Sequence, residues 1–130
     1  MKRIIILAFF ALATMVSCNQ NQADTASSAS SDNDIVYRLF PTQNIWTFIK
    51  LNTRNGQMWQ VQYSIKDDNQ LVTPLSLQAR ASGKNEKNGR FTLYSTQNMF
   101  NFILLDQLDG RTWQVQWSIE ENKRMVIPIE

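Results

Sequence analysis

From Met58 to Ile65 apolar and polar side chains alternate without a break: Trp59, Val61, Tyr63 and Ile65 point one way, Gln60, Gln62 and Ser64 the other. A period of two places successive side chains on opposite faces of a β-strand. The preceding Ile45–Leu51 (IWTFIKL) is rich in aromatic and branched residues, which fit a pleated sheet. Between the two runs, Thr53-Arg54-Asn55-Gly56 supplies a hairpin turn, and Asn-Gly is the strongest short hairpin signal. Tyr37–Phe40 before a turn at Pro41–Asn44, and Leu71–Leu75 after the polar Lys66–Gln70, complete a set of four strands. Pro74 has no N–H to donate, which argues for an edge position or a strand end.

The pattern then repeats. Tyr37–Ser76 aligns with Phe91–Glu130 at a constant offset of 54 without a gap, and WQVQ occurs at Trp59–Gln62 and again at Trp113–Gln116. Leu39/Leu93, Thr42/Thr96, Asn44/Asn98, Phe48/Phe102, Ile49/Ile103, Leu51/Leu105, Gly56/Gly110 and Pro74/Pro128 are identical pairs. The chain is an internal duplication of a four-stranded module, with modules at 37–76 and 91–130 joined by a polar linker, Leu77–Arg90. One module has an apolar face that it cannot cover alone. Two modules within the 96 residues of Ile35–Glu130 can cover each other around one core. The expected fold class is all-β: two tandem four-stranded antiparallel modules packed as one barrel or sandwich with pseudo-twofold symmetry.

Hairpin parity assigns the faces. An even turn of two or four residues sets Ile49 opposite Gln62 and Leu51 opposite Gln60. Trp46, Phe48 and Lys50 then share an aromatic face with Trp59, Val61, Tyr63 and Ile65, as do Phe100, Phe102 and Leu104 with Trp113, Val115, Trp117 and Ile119. The other face mixes amides with aliphatic groups: Ile49, Leu51, Gln60 and Gln62, and in the second copy Ile103, Leu105, Gln114 and Gln116. Trp59 and Trp113 alternate with core residues and read as core. Trp46 and Trp117 lie nearer strand ends, where a ring edge meets solvent. Exposed aromatics beside amides suit sugar or peptide recognition. The candidate ligand-binding residues are therefore Trp46, Gln60, Gln62, Gln114, Gln116 and Trp117. The same amide face also has the pattern of a plain solvated sheet.

The N-terminal pattern is of another kind. Lys2 and Arg3 precede Ile4–Val16, an apolar run of 13 residues, shorter than the ~20 that a spanning helix needs and suited to a secretory signal. Met15-Val16-Ser17-Cys18 resembles the lipobox of bacterial lipoproteins. That resemblance implies a signal peptide over 1–17 and a lipidated Cys18 as the mature N-terminus, anchored by several acyl chains. Asn19–Asp34 is nearly all Ser, Ala, Asn, Gln and Asp and reads as a flexible tether with the lipidated cysteine over 18–34, spanning about 20–25 Å. Without Lys2 and Arg3 the 13 basic residues become 11, equal to the 11 acidic ones. The basic balance thus belongs to the signal and is no argument for a nucleic-acid partner.

Candidate chemistry is sparse. The chain has no histidine and one cysteine, so zinc and an internal disulfide lack ligands, and no cofactor is expected. Asp67-Asp68 and Glu120-Glu121 sit in turns where neighbouring carboxylates diverge into solvent. Lys84, Lys87 and Arg90 read as a small solvated basic loop. No nucleophile–base constellation can be assembled, so no enzyme activity is expected.

The run PTQNIWTFI followed by NGQMWQVQYS is similar to short Bacteroidota lipoproteins with two such modules, over Tyr37–Glu130. The acidic cluster that marks surface export in that group is replaced by Asn19-Gln20-Asn21-Gln22. This favours an outer-membrane anchor facing the periplasm, with surface exposure left open. The expected function is a non-catalytic envelope binding module held to the membrane by its lipid, with a glycan or protein partner or a second copy as a homodimer. The alternative is a periplasmic inhibitor of lysozyme-type enzymes. Palmitate labelling of the wild-type chain and of Cys18→Ala tests the anchor. Label is expected on the wild type alone; equal label on both rejects lipidation.

Overall fold

A computed structural model describes residues 34–130; the expected signal segment, Cys18 and the expected tether through Asn33 lie outside the described residues. Eight strands follow one another: β1 (Tyr37–Pro41), β2 (Thr47–Asn52), β3 (Met58–Gln62), β4 (Leu71–Ser76), β5 (Phe91–Ser95), β6 (Asn101–Asp106), β7 (Thr112–Gln116) and β8 (Met125–Ile129). They form two antiparallel meanders, β1-β2-β3-β4 and β5-β6-β7-β8, stacked as an open sandwich and not closed into a barrel. Each repeat is therefore one whole sheet. The strands carrying Pro74 and Pro128 are edges, as the missing N–H requires.

The hairpin at Thr53–Gly56 is an even, four-residue loop. Asn52 N–H donates to the Gln57 carbonyl at 2.9 Å and Gly56 N–H to the Asn52 carbonyl at 2.9 Å, and Asp106, Arg111 and Gly110 repeat the arrangement. Gly56 and Gly110 hold φ of 79° and 81°, the left-handed region that L side chains avoid. The register has Ile49 opposite Gln60 and Leu51 opposite Met58, two residues from the expected pairing. A shift of two preserves the faces, because side chains alternate with a period of two. The β2–β3 strands are shorter than the periodicity suggested. Asn44 Oδ1 accepts the Trp46 N–H at 2.9 Å and delays β2. Ser64 Oγ accepts the Lys66 N–H at 3.1 Å and turns the chain away after β3. Ile65 and its counterpart Ile119 are consequently exposed instead of extending the aromatic face.

The two copies bury opposite faces. The first sheet turns Thr47, Ile49, Leu51, Met58, Gln60 and Leu75 inward; the second turns Phe91, Leu93, Phe102, Leu104, Trp113, Val115 and Trp117 inward. Residues 54 positions apart therefore occupy unlike environments: Ile49 is fully buried, whereas Ile103 faces outward beside the exposed Tyr94. A twofold axis would give them equal ones, so the expected pseudo-twofold relation is replaced by a head-to-tail stack. The cause is visible in the differences between copies. The aromatic face of the first copy carries Lys50 where the second has Leu104, and the other face carries Met58 in the first copy where the second has Thr112. Each sheet turns outward the face that carries the polar member of these differing pairs, Lys50 in the first and Thr112 in the second. Fully burying Leu104 or Val115 contributes about 1.5–3 kcal/mol each.

Loop contacts join the sheets at one end. Phe91 N–H donates to the Thr53 carbonyl at 2.8 Å, and Arg80 N–H to the Asn55 carbonyl at 2.7 Å. The linker thus packs back on the first hairpin loop, and a Cβ at Gly56 would lie 3.3 Å from both Arg80 Cδ and Phe91 Cδ1, whereas one at Gly110 would meet nothing within 4 Å. Gly110→Ala is expected to cost ~1–2 kcal/mol from backbone strain alone. Gly56→Ala should cost more, on the order of 2–4 kcal/mol, because packing strain adds to it. Urea unfolding of both variants checks the order; equal losses would show that the Arg80–Phe91 contact is slack.

Candidate functional site

The six residues singled out by sequence do not form one groove. Gln60 lies between the sheets, where its amide donates to the Ser118 carbonyl at 3.0 Å and its carbonyl accepts the Ser118 N–H at 3.1 Å. Both halves of a buried amide are satisfied by one residue of the opposite module, as burial demands. Trp117 is also interior, and its indole N–H donates to the Met99 carbonyl at 2.9 Å. Gln62 and Gln116 do equivalent local work, reaching the Asn69 and Lys123 carbonyls at 3.5 and 2.9 Å to hold the turn that follows each strand. Gln114 sits on the outward face of the second sheet and meets Asn101 Oδ1 at 3.5 Å. Trp46 is on the outward face of the first. Gln116 and Trp117 do border an open depression of about 320 Å³ with Phe100, Ser118 and Lys123, but the other four do not reach it.

The outward face of the first sheet is where exposed aromatics gather. Tyr37 is 55% exposed, Leu39 58%, Tyr63 46% and Val72 55%. Trp59, read from sequence as core, is instead half-buried on this face. The rings pack by their edges: Tyr37 on Trp59 at 6.3 Å between centroids, Trp46 on Tyr63 at 5.3 Å and Phe48 on Tyr63 at 6.0 Å, all tilted. Tilted pairs of this kind align the positive ring edge with a negative ring face. Lys50 lies across the middle, its Nζ 4.8 Å from the Trp59 centroid and 5.8 Å from that of Tyr37. The cation is attracted by both rings, and its stem covers apolar surface that would otherwise meet water.

A second feature closes the end of the sandwich near the linker. Asp106 is wholly buried and accepts from Arg90 Nε at 3.0 Å to each oxygen, from Arg90 Nη2 at 2.7 Å and from Arg111 Nη2 at 3.3 Å. Arg90 is therefore an interior ion-pair partner and not a solvated linker residue. Burial pushes the Asp106 carboxyl up, but hydrogen bonds from Arg90 and from the N–H groups of Leu108 and Asp109, with the Arg90 charge, outweigh it and hold the pKa below the ordinary value. The same hydrogen bond raises Arg90. Trp113 is clasped by two guanidinium groups, Arg80 at 5.4 Å and Arg111 at 5.3 Å from the ring centroid. Periodicity did not point to this cluster. The alignment of the copies did carry a signal: Arg90, Asp106 and Arg111 stand where the first copy has Val36, Asn52 and Gln57, so none of the three charges has a counterpart there.

Among the described residues no group of three or more His, Cys, Asp or Glu is placed to hold a metal ion. No family model matches the chain, and no curated protein or solved structure matches it significantly.

Asp106→Asn restores the residue of the first copy but leaves two arginines without their carboxylate. It is expected to cost about 3–5 kcal/mol at neutral pH. The sign follows from the lowered pKa: the native state binds fewer protons than the unfolded one, so the stabilisation is present above the unfolded carboxyl value of about 3.9 and is lost as pH falls below it. Wild type and variant should thus converge in urea unfolding as the pH is lowered from neutral through the unfolded carboxyl value of about 3.9 and below it. A constant gap across that range would show that the carboxylate charge is not what stabilises the cluster.

Proposed function

We propose that the chain is a lipid-anchored envelope protein, facing the periplasm, that docks other proteins through the outward faces of its sandwich and catalyses no reaction. The observation that carries the reading is the contiguous aromatic face of the first sheet, with Tyr37, Leu39, Trp46, Tyr63 and Val72 open to solvent on a continuous β surface. Apolar patches of this kind on a soluble domain mark interaction sites, and aromatic residues concentrate at the energetic centres of protein interfaces. A sheet face offers area and shape to a protein surface. Of the amides expected to supply hydrogen bonds to a sugar, Gln60 is already engaged by Ser118. The buried carboxylate Asp106 is held ionised by two arginines, which suits a structural anion better than an acid–base group. An inhibitor loop has less support. The linker that would have to project is tied back through Arg80 to the Asn55 and Gly56 carbonyls.

A photoreactive amino acid at Leu39, on the aromatic face, should capture protein in intact envelopes, and one at Lys84, in the linker, should not. Capture from Lys84 alone, or from neither position, would overturn docking through this face.

A further inference from the structure

The head-to-tail stack leaves both halves of its own interface unused at the two ends. Inside the chain, the face formed by Ile49, Leu51, Met58 and Gln60 covers the face formed by Phe91, Leu93, Phe102, Trp113 and Val115. At an offset of 54, the outward face of the second sheet is the counterpart of the first of these: Ile103, Leu105, Thr112 and Gln114. The outward face of the first sheet is the counterpart of the second: Tyr37, Leu39, Phe48, Trp59 and Val61. Had the two copies covered like faces, the open faces would also be alike and would not reproduce the interior contact.

From this we infer that copies of the chain associate head to tail, the outward face of the second sheet of one chain covering the outward face of the first sheet of the next. The inference rests on the docking reading above and names its partner. The polar lock is duplicated as well. Gln60 holds the Ser118 backbone within the chain; Gln114 and Ser64 are its counterparts and would meet across the junction. The apolar rows on the open second face are available for burial, with Tyr94 54%, Ile127 45% and Ile129 48% exposed.

The junction between chains is weaker than the one within the chain, for a readable reason. Lys50 replaces the fully buried Leu104 on one face, and Thr112 replaces the fully buried Met58 on the other. A heterologous contact continues until rotation closes it into a ring, or indefinitely if it does not. Each chain supplies two four-stranded sheets. Closed rings of such sheets usually hold about 4–8 of them, which corresponds to roughly two to four chains.

Native mass spectrometry of the full chain released from detergent, over a range of concentrations, reads the association directly. Wild type should form oligomers that dissociate on dilution. Leu39→Glu and Ile127→Glu, each at an exposed position on a different open face, should each abolish them. Mixing these two variants should restore one junction and give a heterodimer, because each retains the face that the other lacks. An isologous dimer would not be rescued by mixing. Lys50→Leu should tighten association by about tenfold, and Gln114→Ala should weaken it by about tenfold. A wild type that stays monomeric up to about 1 mM, oligomers that persist in both single-face variants, or a mixture that yields no heterodimer each overturns the inference. If the chain is monomeric while Leu39 captures a different protein, the docking reading stands and only the self-association fails. If Leu39 captures nothing and the chain is monomeric, both fail.

Discussion

A four-stranded sheet has two faces, and the alternation of side chains along a strand means that only registers differing by an even number of residues keep each face intact. The buried Gln60 is the point at which that constraint becomes a fixed structure. An amide between two sheets, left without partners, costs about 1–3 kcal/mol. Here Ser118, just beyond β7, offers both a donor and an acceptor to it at 3.0 and 3.1 Å. Sliding one sheet over the other by a residue would break both bonds and leave a buried amide unpaired. The placement of Ile49 and Leu51 over the aromatic floor of the second sheet follows from this one pairing.

Several contacts between the modules have no counterpart in the other copy. Thr53 is wholly buried; its hydroxyl donates towards the Ile35 and Val36 carbonyls and accepts the Gly89 N–H, while its carbonyl receives Phe91 N–H. Its counterpart Gln107 is exposed at the same end and reaches only the linker, through the Arg90 and Gly89 carbonyls. Arg124 reaches from the second module to Thr73 Oγ1 at 3.2 Å, whereas the first copy has Gln70 at that position. The two modules, alike in sequence, are specialised into a lower and an upper layer. The charged cluster around Asp106 belongs to that specialisation, since it seals the end of the upper sheet beside Trp113.

Strand number, the edge prolines and the turn glycines could be read from the sequence because each depends on local stereochemistry. Gly56 and Gly110 needed positive φ, and the Asn-Gly and Asp-Gly pairs announced it. The choice of inward face was not legible from periodicity, because both faces of each strand carry apolar residues: Phe48 and Val61 on one, Ile49 and Leu51 on the other. Only the comparison of Lys50 with Leu104, and of Met58 with Thr112, breaks the tie, and that comparison weighs single residues across the repeat. The candidate residues were separated for the same reason. Trp46 and Trp117 were placed at surfaces by their position near strand ends and Gln60 by its amide face, but the face chosen for burial takes Trp117 and Gln60 inside and leaves Trp46 near the exposed ring of Tyr63. Ile65 left the aromatic face because the Ser64 hydroxyl, a group with no periodicity, ends its strand.

Exposed sheets associate in two ways, by edges or by faces, and this chain restricts the first. β4 and β8 form one edge of each sheet, and Pro74 and Pro128 interrupt the row of donors that an added strand would need. β1 ends in Pro41, and the β5 edge begins at Phe91, whose N–H is already given to Thr53. With edge pairing hindered, the apolar area that remains for association lies on the faces. Lys50 then has a definable effect. It is compatible with solvent while its stem shields Trp59 and Tyr37, and it must be partly desolvated if anything covers it. A cation at the centre of an aromatic face keeps that face soluble as a monomer and makes its covering reversible, which a leucine at the same position would not.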